Sequence, residues 1–208
     1  MGTDPDHPDW ELKDAYTVKE VADRLVEMMF DELYSPVVSS GQSVRSELGF
    51  LVAGYDGGGG NKDSELWTVS IEDPSTRPLP QLQAGAGQVG WVAYAIDEAA
   101  MRLFNGFDPS LPAALEAATD SAQHPAIHQA LQSVVRQPVP PGMPFADAIN
   151  FAQFLADTTI GYTHYLLGPD VVGGPVEVAG ISRHEKFKWV NRKHYYRSEL
   201  NPEAPHDV

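Results

Sequence analysis

The sequence has no cysteine among its 208 residues, which removes disulfide frameworks, thiolate zinc sites, thiol nucleophiles and iron–sulfur ligation together. Positive charge is also scarce. Fourteen Lys and Arg stand against 29 Asp and Glu, for a formal net charge of −15 and a pI near 4.6. A surface of that sign repels polyphosphate, so nucleic acid is not an expected partner. No apolar run approaches the roughly 18–20 residues of a membrane-spanning helix, and residues 1–14 have neither the basic region nor the apolar stretch of a signal peptide. No membrane association is expected, and a cytoplasmic setting is. What is present is ordinary for a folded chain: 42% hydrophobic and 10% aromatic residues, enough to bury a core despite the charge. The length suits about one domain, or one and a half.

The charge is unevenly spread. Ten acids and three bases fall in residues 1–32, whereas six of the fourteen Lys and Arg lie in residues 183–197. A solvated acidic helix and a basic terminal strand would explain this. Complementary edges on neighbouring subunits would explain it too, and would steer association.

Residues 1–16 read as a loose acidic N-terminus rich in Asp and Pro. Thr17 with Glu20 three residues on forms a capping-box pattern. Val18, Val21, Ala22, Leu25, Met28, Met29 and Leu33 then recur at helical spacing, so a helix is expected to end near Tyr34, before Pro36, with a loop over 35–47. The apolar run 48–55 suits a buried strand, the glycines at 57–60 a hairpin tip, and the alternation over 66–71 a second strand. Residues 72–82 carry Pro74, Pro78 and Pro80 and allow a turn and an irregular edge strand. A helix is expected over 89–104, opened by Gly85-Ala86-Gly87 and closed by Asn105-Gly106. A proline-rich connector at 107–143 holds two short helical stretches, near 112–121 and 125–136. A long helix from 145 to about 166 follows, then strands at 176–181 and 187–190 around a turn, and a tail at 191–208. This order is an α+β or layered α/β pattern, with residues 17–190 as a single domain.

Several motifs have plain explanations. Gly85 to Gly90 spells G-x-G-x-x-G, but a dinucleotide fingerprint needs an apolar strand before it and an acidic residue about 20 residues on. Prolines stand on both sides instead, which leaves a nucleotide-binding module the weakest of the readings. Lys62 after the glycine run is followed by Asp63 rather than Ser or Thr, so a hairpin tip is expected there, not a phosphate loop. His124 and His128 are four apart, as a helical metal site requires, yet Pro125 most naturally takes the first helical position and leaves His124 as a cap. Surface histidines are expected, with no metal and no cofactor. His164 ends an apolar helix and suits an interface or the core.

One combination is more specific. The strand pair Gly49-Phe50-Leu51-Val52-Ala53-Gly54-Tyr55-Asp56 and Glu65-Leu66-Trp67-Thr68-Val69-Ser70 is joined in order by the Gly85-Ala86-Gly87-Gln88 start. A long helix through Asp157-Thr158-Thr159-Ile160 leads on to Gly173-Gly174 before Pro175-Val176-Glu177-Val178. Together these resemble a proteasome subunit (alpha/beta type) of the N-terminal-nucleophile (Ntn) hydrolase superfamily, over residues 17 to about 190. The resemblance implies a layered αββα sandwich of antiparallel sheets flanked by helices. It also implies threonine-type peptidase chemistry, in which an N-terminal threonine attacks the peptide carbonyl with its own amine as base.

The opening strands that carry this threonine are not recognisable before Thr17. Thr3 follows a glycine, but the Asp- and Pro-rich residues after it cannot make a buried strand. The supporting family positions are degenerate as well. Ala86 stands where the family has a serine, and Pro169 and Val172 replace the polar residues before Gly-Gly, with Asp170 one residue out of register. None of the first three can orient an amine. The expectation is a non-catalytic, proteasome-subunit-like protein acting in subunit assembly, a homo- or hetero-oligomer with proteasome-like subunits. The alternative is a peptidase subunit, acting on peptide or protein, whose nucleophile segment lies outside this chain. Missing N-terminal strands would leave apolar edges at 48–55 and 176–181, which favours self-association.

Overall fold

The computed structural model describes residues 15–41, 47–58, 63–73, 75–169 and 171–192. They form a mixed α+β protein with small antiparallel sheets. The chain divides into two compact units, Met1–Val89 and Gly90–Val208.

The first unit starts from the expected capping box. The Thr17 hydroxyl accepts from the Glu20 amide at 3.1 Å, and Glu20 Oε2 accepts from the Thr17 amide at 2.7 Å. Helix α1 (Val18–Val26) follows, burying Val18, Ala22 and Val26. The helix then widens into a π-helical stretch, Glu27–Tyr34, in which the Ser35 amide reaches back to the Phe30 carbonyl. It continues as α2 (Ser35–Ser39) with Pro36 in the first turn. This corrects the expected stop before Pro36: the Ser35 amide closes the last wide turn on Phe30, and Pro36, which has no N–H to give, sits in the first turn of α2 directly after it.

Strands β1 (Leu48–Tyr55), β2 (Ser64–Ile71) and β3 (Gln81–Ala84) form an antiparallel sheet in that order. The pairs Leu48↔Ile71, Phe50↔Val69 and Val52↔Trp67 place these six side chains on one face. They pack against the core of Ala22, Val26, Phe30, Tyr34, Val69 and Ile71. Each fully buried Val or Ile there contributes about 1.5–3 kcal/mol. The Val18 amide donates to Asp56 Oδ1 at 2.9 Å and the Gly57 amide to the Tyr16 carbonyl at 2.8 Å, tying the helix start to the end of β1.

The second unit holds α3 (Glu98–Asn105), α4 (Leu111–Ala117), a 3-10 turn Ser121–Gln123, α5 (His124–Val134) and α6 (Phe145–His164). A hairpin of β4 (Val178–Ser182) and β5 (Lys186–Asn191) ends the described chain. The expected helix over 89–104 is corrected, since its first half is not helical and α3 begins only at Glu98. Val89, Val92 and Ile96 are β-branched and poor helix formers. In addition, the Trp91 ring is held against Phe104 and Phe151, with centroids 5.3 and 6.4 Å away. The strand expected at 176–181 begins two residues later, after Gly174 at φ +91.

The core of this unit is thin. Among its described residues the buried apolar side chains are Ala99, Ala100, Leu155 and Val178. The buried Thr159 and Thr163 hydroxyls donate to the carbonyls four residues back at 2.9 Å each, so neither is left unsatisfied. Val178 and Gly180 of the hairpin are buried, and the Phe145 ring lies over Gly180.

Candidate interaction site

Two surfaces stand out, one in each unit. In the first, residues Thr68 and Ser70 point away from the core because Trp67, Val69 and Ile71 point into it. The loop after β2 folds beside them and leaves a groove of about 440 Å³, lined by Thr68, Ser70, Glu72, Asp73, Leu79 and Gln81 among others. Asp73 organises this loop. Its carboxylate accepts from the Ser75 hydroxyl and amide at 2.6 and 2.8 Å and from the Thr76 hydroxyl at 3.0 Å. These bonds, the Ser75 hydroxyl foremost, hold its pKa below the ordinary carboxylate value. Arg77, also on the groove, turns to Asp31 in a two-pronged ion pair of 2.9–3.0 Å. That hydrogen bonding raises its pKa further above the usual arginine value, and it leaves the groove acidic.

In the second unit the β4–β5 register pairs Ala179↔Trp189 and Ile181↔Phe187 on one face, opposite the face that covers α6. This outer face is exposed: Phe187 retains 50% and Trp189 47% of its accessible surface. The two rings meet edge to face at 5.1 Å, and the Arg192 guanidinium lies 5.3 Å from the Trp189 centroid. Every residue of β5 is exposed. Lys186 and Lys188 alternate with the aromatics along the same strand.

Other polar clusters are structural. The Tyr162 hydroxyl donates to Glu98 Oε1 at 2.9 Å, and Arg102 Nε donates to the same oxygen at 2.8 Å while its other arm pairs with Asp108. This network joins α6, α3 and the following loop. The Glu98 contact raises the Tyr162 pKa, and the Ser110 hydroxyl and amide lower that of Asp108, so the phenol stays protonated and the carboxylate ionised near neutrality. His128 Nε2 sits 2.5 Å from Glu116 Oε1, and His124 Nε2 lies 3.2 Å from the Glu116 carbonyl. His124 is the first residue of α5 rather than a cap outside it. Among the described residues no three His, Cys, Asp or Glu gather as a metal site. None of the described helices is long and apolar enough to cross a membrane.

The family positions fall as follows. Ala86 is exposed in a turn of the first unit, where Gly87 takes φ +72 and the Gln88 amide donates to the Gly85 carbonyl at 3.0 Å. The Gln88 side chain accepts from the Gly85 amide at 2.7 Å, closing the turn. No helix starts there, so the expected G-x-G helix start is corrected to a β-turn that needs glycine at its third position. Without a helix N-terminus the turn also lacks the dipole that a nucleotide phosphate would use. Pro169 is exposed and Val172 half-buried in the stretch between α6 and β4 of the second unit. Asp170 lies outside the described residues, as do Lys62 and Thr3. His164 is exposed beside Tyr165, with ring centroids 5.0 Å apart.

The groove and the bare aromatic face were not identified from the sequence. The alternation Phe187-Lys188-Trp189 marked a strand, but a period-two pattern does not say which face is covered. No protein-family model matches the chain, and neither does a curated protein or a solved structure.

Proposed function

We propose that this chain is a non-catalytic subunit that acts by assembling with further copies or with similar, proteasome-like subunits, in the cytoplasm. One observation carries the reading. Among the described residues β1 and β4 each have a strand neighbour on one side only, and both are apolar strands. Open apolar edges present unpaired N–H and C=O groups that another chain can complete. The thin core of the second unit acts in the same direction, because apolar surface that finds no cover within a chain favours association. In the finer form of this reading, strands added beside Phe50 or Val178 extend the two small sheets into a layered αββα sandwich. The non-catalytic part rests on Ala86, Pro169 and Val172, whose side chains have no proton to give or take.

Sedimentation velocity at about 0.05 M and about 0.5 M salt tests the assembly. Species heavier than the 22.7 kDa monomer are expected at low salt, with partial dissociation at high salt. A monomer in both buffers refutes the proposal. Mass spectrometry after treatment with a threonine-directed epoxyketone tests the chemistry: the chain stays unmodified, whereas a covalent adduct would establish the peptidase alternative.

A further inference from the structure

The hairpin combines an exposed aromatic face with cations in the same short segment. Arg183, Lys186, Lys188 and Arg192 lie within residues 183–192, against Glu185 alone, in a chain whose net charge is −15. Arg192 stands on the aromatic face itself, over Trp189. A surface of this kind calls for a partner with exposed apolar side chains beside acidic charge.

The first unit offers one such place. In α1 and the π-helical stretch most acids are already matched, Asp23 by Lys19, Glu27 by Arg24 and Asp31 by Arg77. The groove beside β2 differs. Arg77 is turned to Asp31, and Glu72 and Asp73 remain as its net charge. Leu79 lines it with 74% of its surface exposed, and Leu51 shows 39% on the same outward face, paired with Thr68. Its volume of about 440 Å³ lies in the range of sites that receive side chains or small ligands.

We infer that the β4–β5 hairpin of one copy seats in the acidic groove beside β2 of another copy, with Trp189 and Phe187 against Leu79 and Arg192 facing Glu72. The inference rests on the self-association proposed above and names its surface. The contact joins two different patches, so it is heterologous: copies connect head to tail and either close into a ring or extend. A single-stranded nucleic acid could also stack on exposed aromatics, but the acidic charge of the chain opposes it.

The test uses the full chain and its dissociation constant by sedimentation. Trp189→Ala weakens assembly about thirtyfold or more, as loss of a central aromatic anchor does. Arg192→Glu and Glu72→Lys each weaken it about tenfold or more. The doubly substituted chain, with the two signs exchanged, regains assembly, and an equimolar mixture of the two single variants forms mixed assemblies that neither variant forms alone. Neither recovery is open to a misfolded protein. If the wild type assembles and Trp189→Ala and Arg192→Glu leave its constant within about twofold, the hairpin contact is overturned and self-association stands. A monomeric wild type overturns both. Saturable binding of a labelled oligothymidylate that Trp189→Ala abolishes would make the face a stacking platform and overturn the contact as well.

Discussion

Replacing Gly180 by alanine probes how the hairpin is attached to α6. The added Cβ would lie 2.6 Å from Phe145 Cζ and 3.1 Å from Cε1, closer than two carbon atoms can approach, so the ring must leave. Phe145 opens α6 and is 49% exposed, which gives it somewhere to go. Full burial of a phenylalanine is worth about 1.5–3 kcal/mol, so losing the covered half costs about 1–1.5 kcal/mol. Gly180 has no left-handed φ, and alanine there restricts the unfolded chain, which returns about 0.4–1 kcal/mol. The net expectation is a loss of about 0.5 kcal/mol. In a Phe145→Ala background the clash is absent, and the same substitution stabilises by about 0.4–1 kcal/mol. The sign reversal, with a coupling of about 1–1.5 kcal/mol, is the result to look for in urea unfolding followed by far-UV dichroism and tryptophan fluorescence. Equal effects in the two backgrounds would refute the ring-over-glycine packing.

Lys186 closes the three-residue hairpin turn with φ +63, a left-handed conformation that costs a side-chain-bearing residue about 1–2 kcal/mol. Lys186→Gly removes that cost against the greater freedom of glycine in the unfolded chain, for a net gain of about 0.5–1 kcal/mol. Unchanged or lower stability in urea would show the turn to be unstrained. Asp73 has its folded pKa depressed below the ordinary 3.8, chiefly by the Ser75 hydroxyl. Its stabilising contribution is therefore present above about pH 4 and lost as the pH falls below it. Asp73→Asn flattens the acid limb of the stability–pH curve, and an unaltered limb in thermal melts between about pH 5 and pH 2.5 refutes that assignment.

Parts of the fold were legible residue by residue. The run 48–55 is strand β1 over its whole length, because an apolar run bounded by polar and glycine segments has few other uses. Thr17 and Glu20 form the capping box that their spacing announces. The 107–143 connector contains its two short helices, each with proline in the first turn. The stretch 89–97 misled, since its apolar spacing fits a helix while Val89, Val92 and the packing of Trp91 favour a non-helical path, with Ala95 at φ +70. Of the candidate site, the basic character of 183–192 could be read directly. The groove could not, because the Arg77 charge is matched by Asp31, 46 positions earlier in the chain.

Local chemistry, then, was determined by the sequence alone: the capping box at Thr17 and Glu20, which strands alternate, and where charge of each sign collects. Those features depend on neighbours within a few positions, and their energies are set by side-chain type. Only the tertiary structure decided which face of a strand meets solvent, that Pro36 opens a helical turn rather than ending the helix, and that Phe145 covers Gly180 while Trp189 is left bare. Each of these is a competition between distant groups for the same surface, and its outcome depends on what else is close in space.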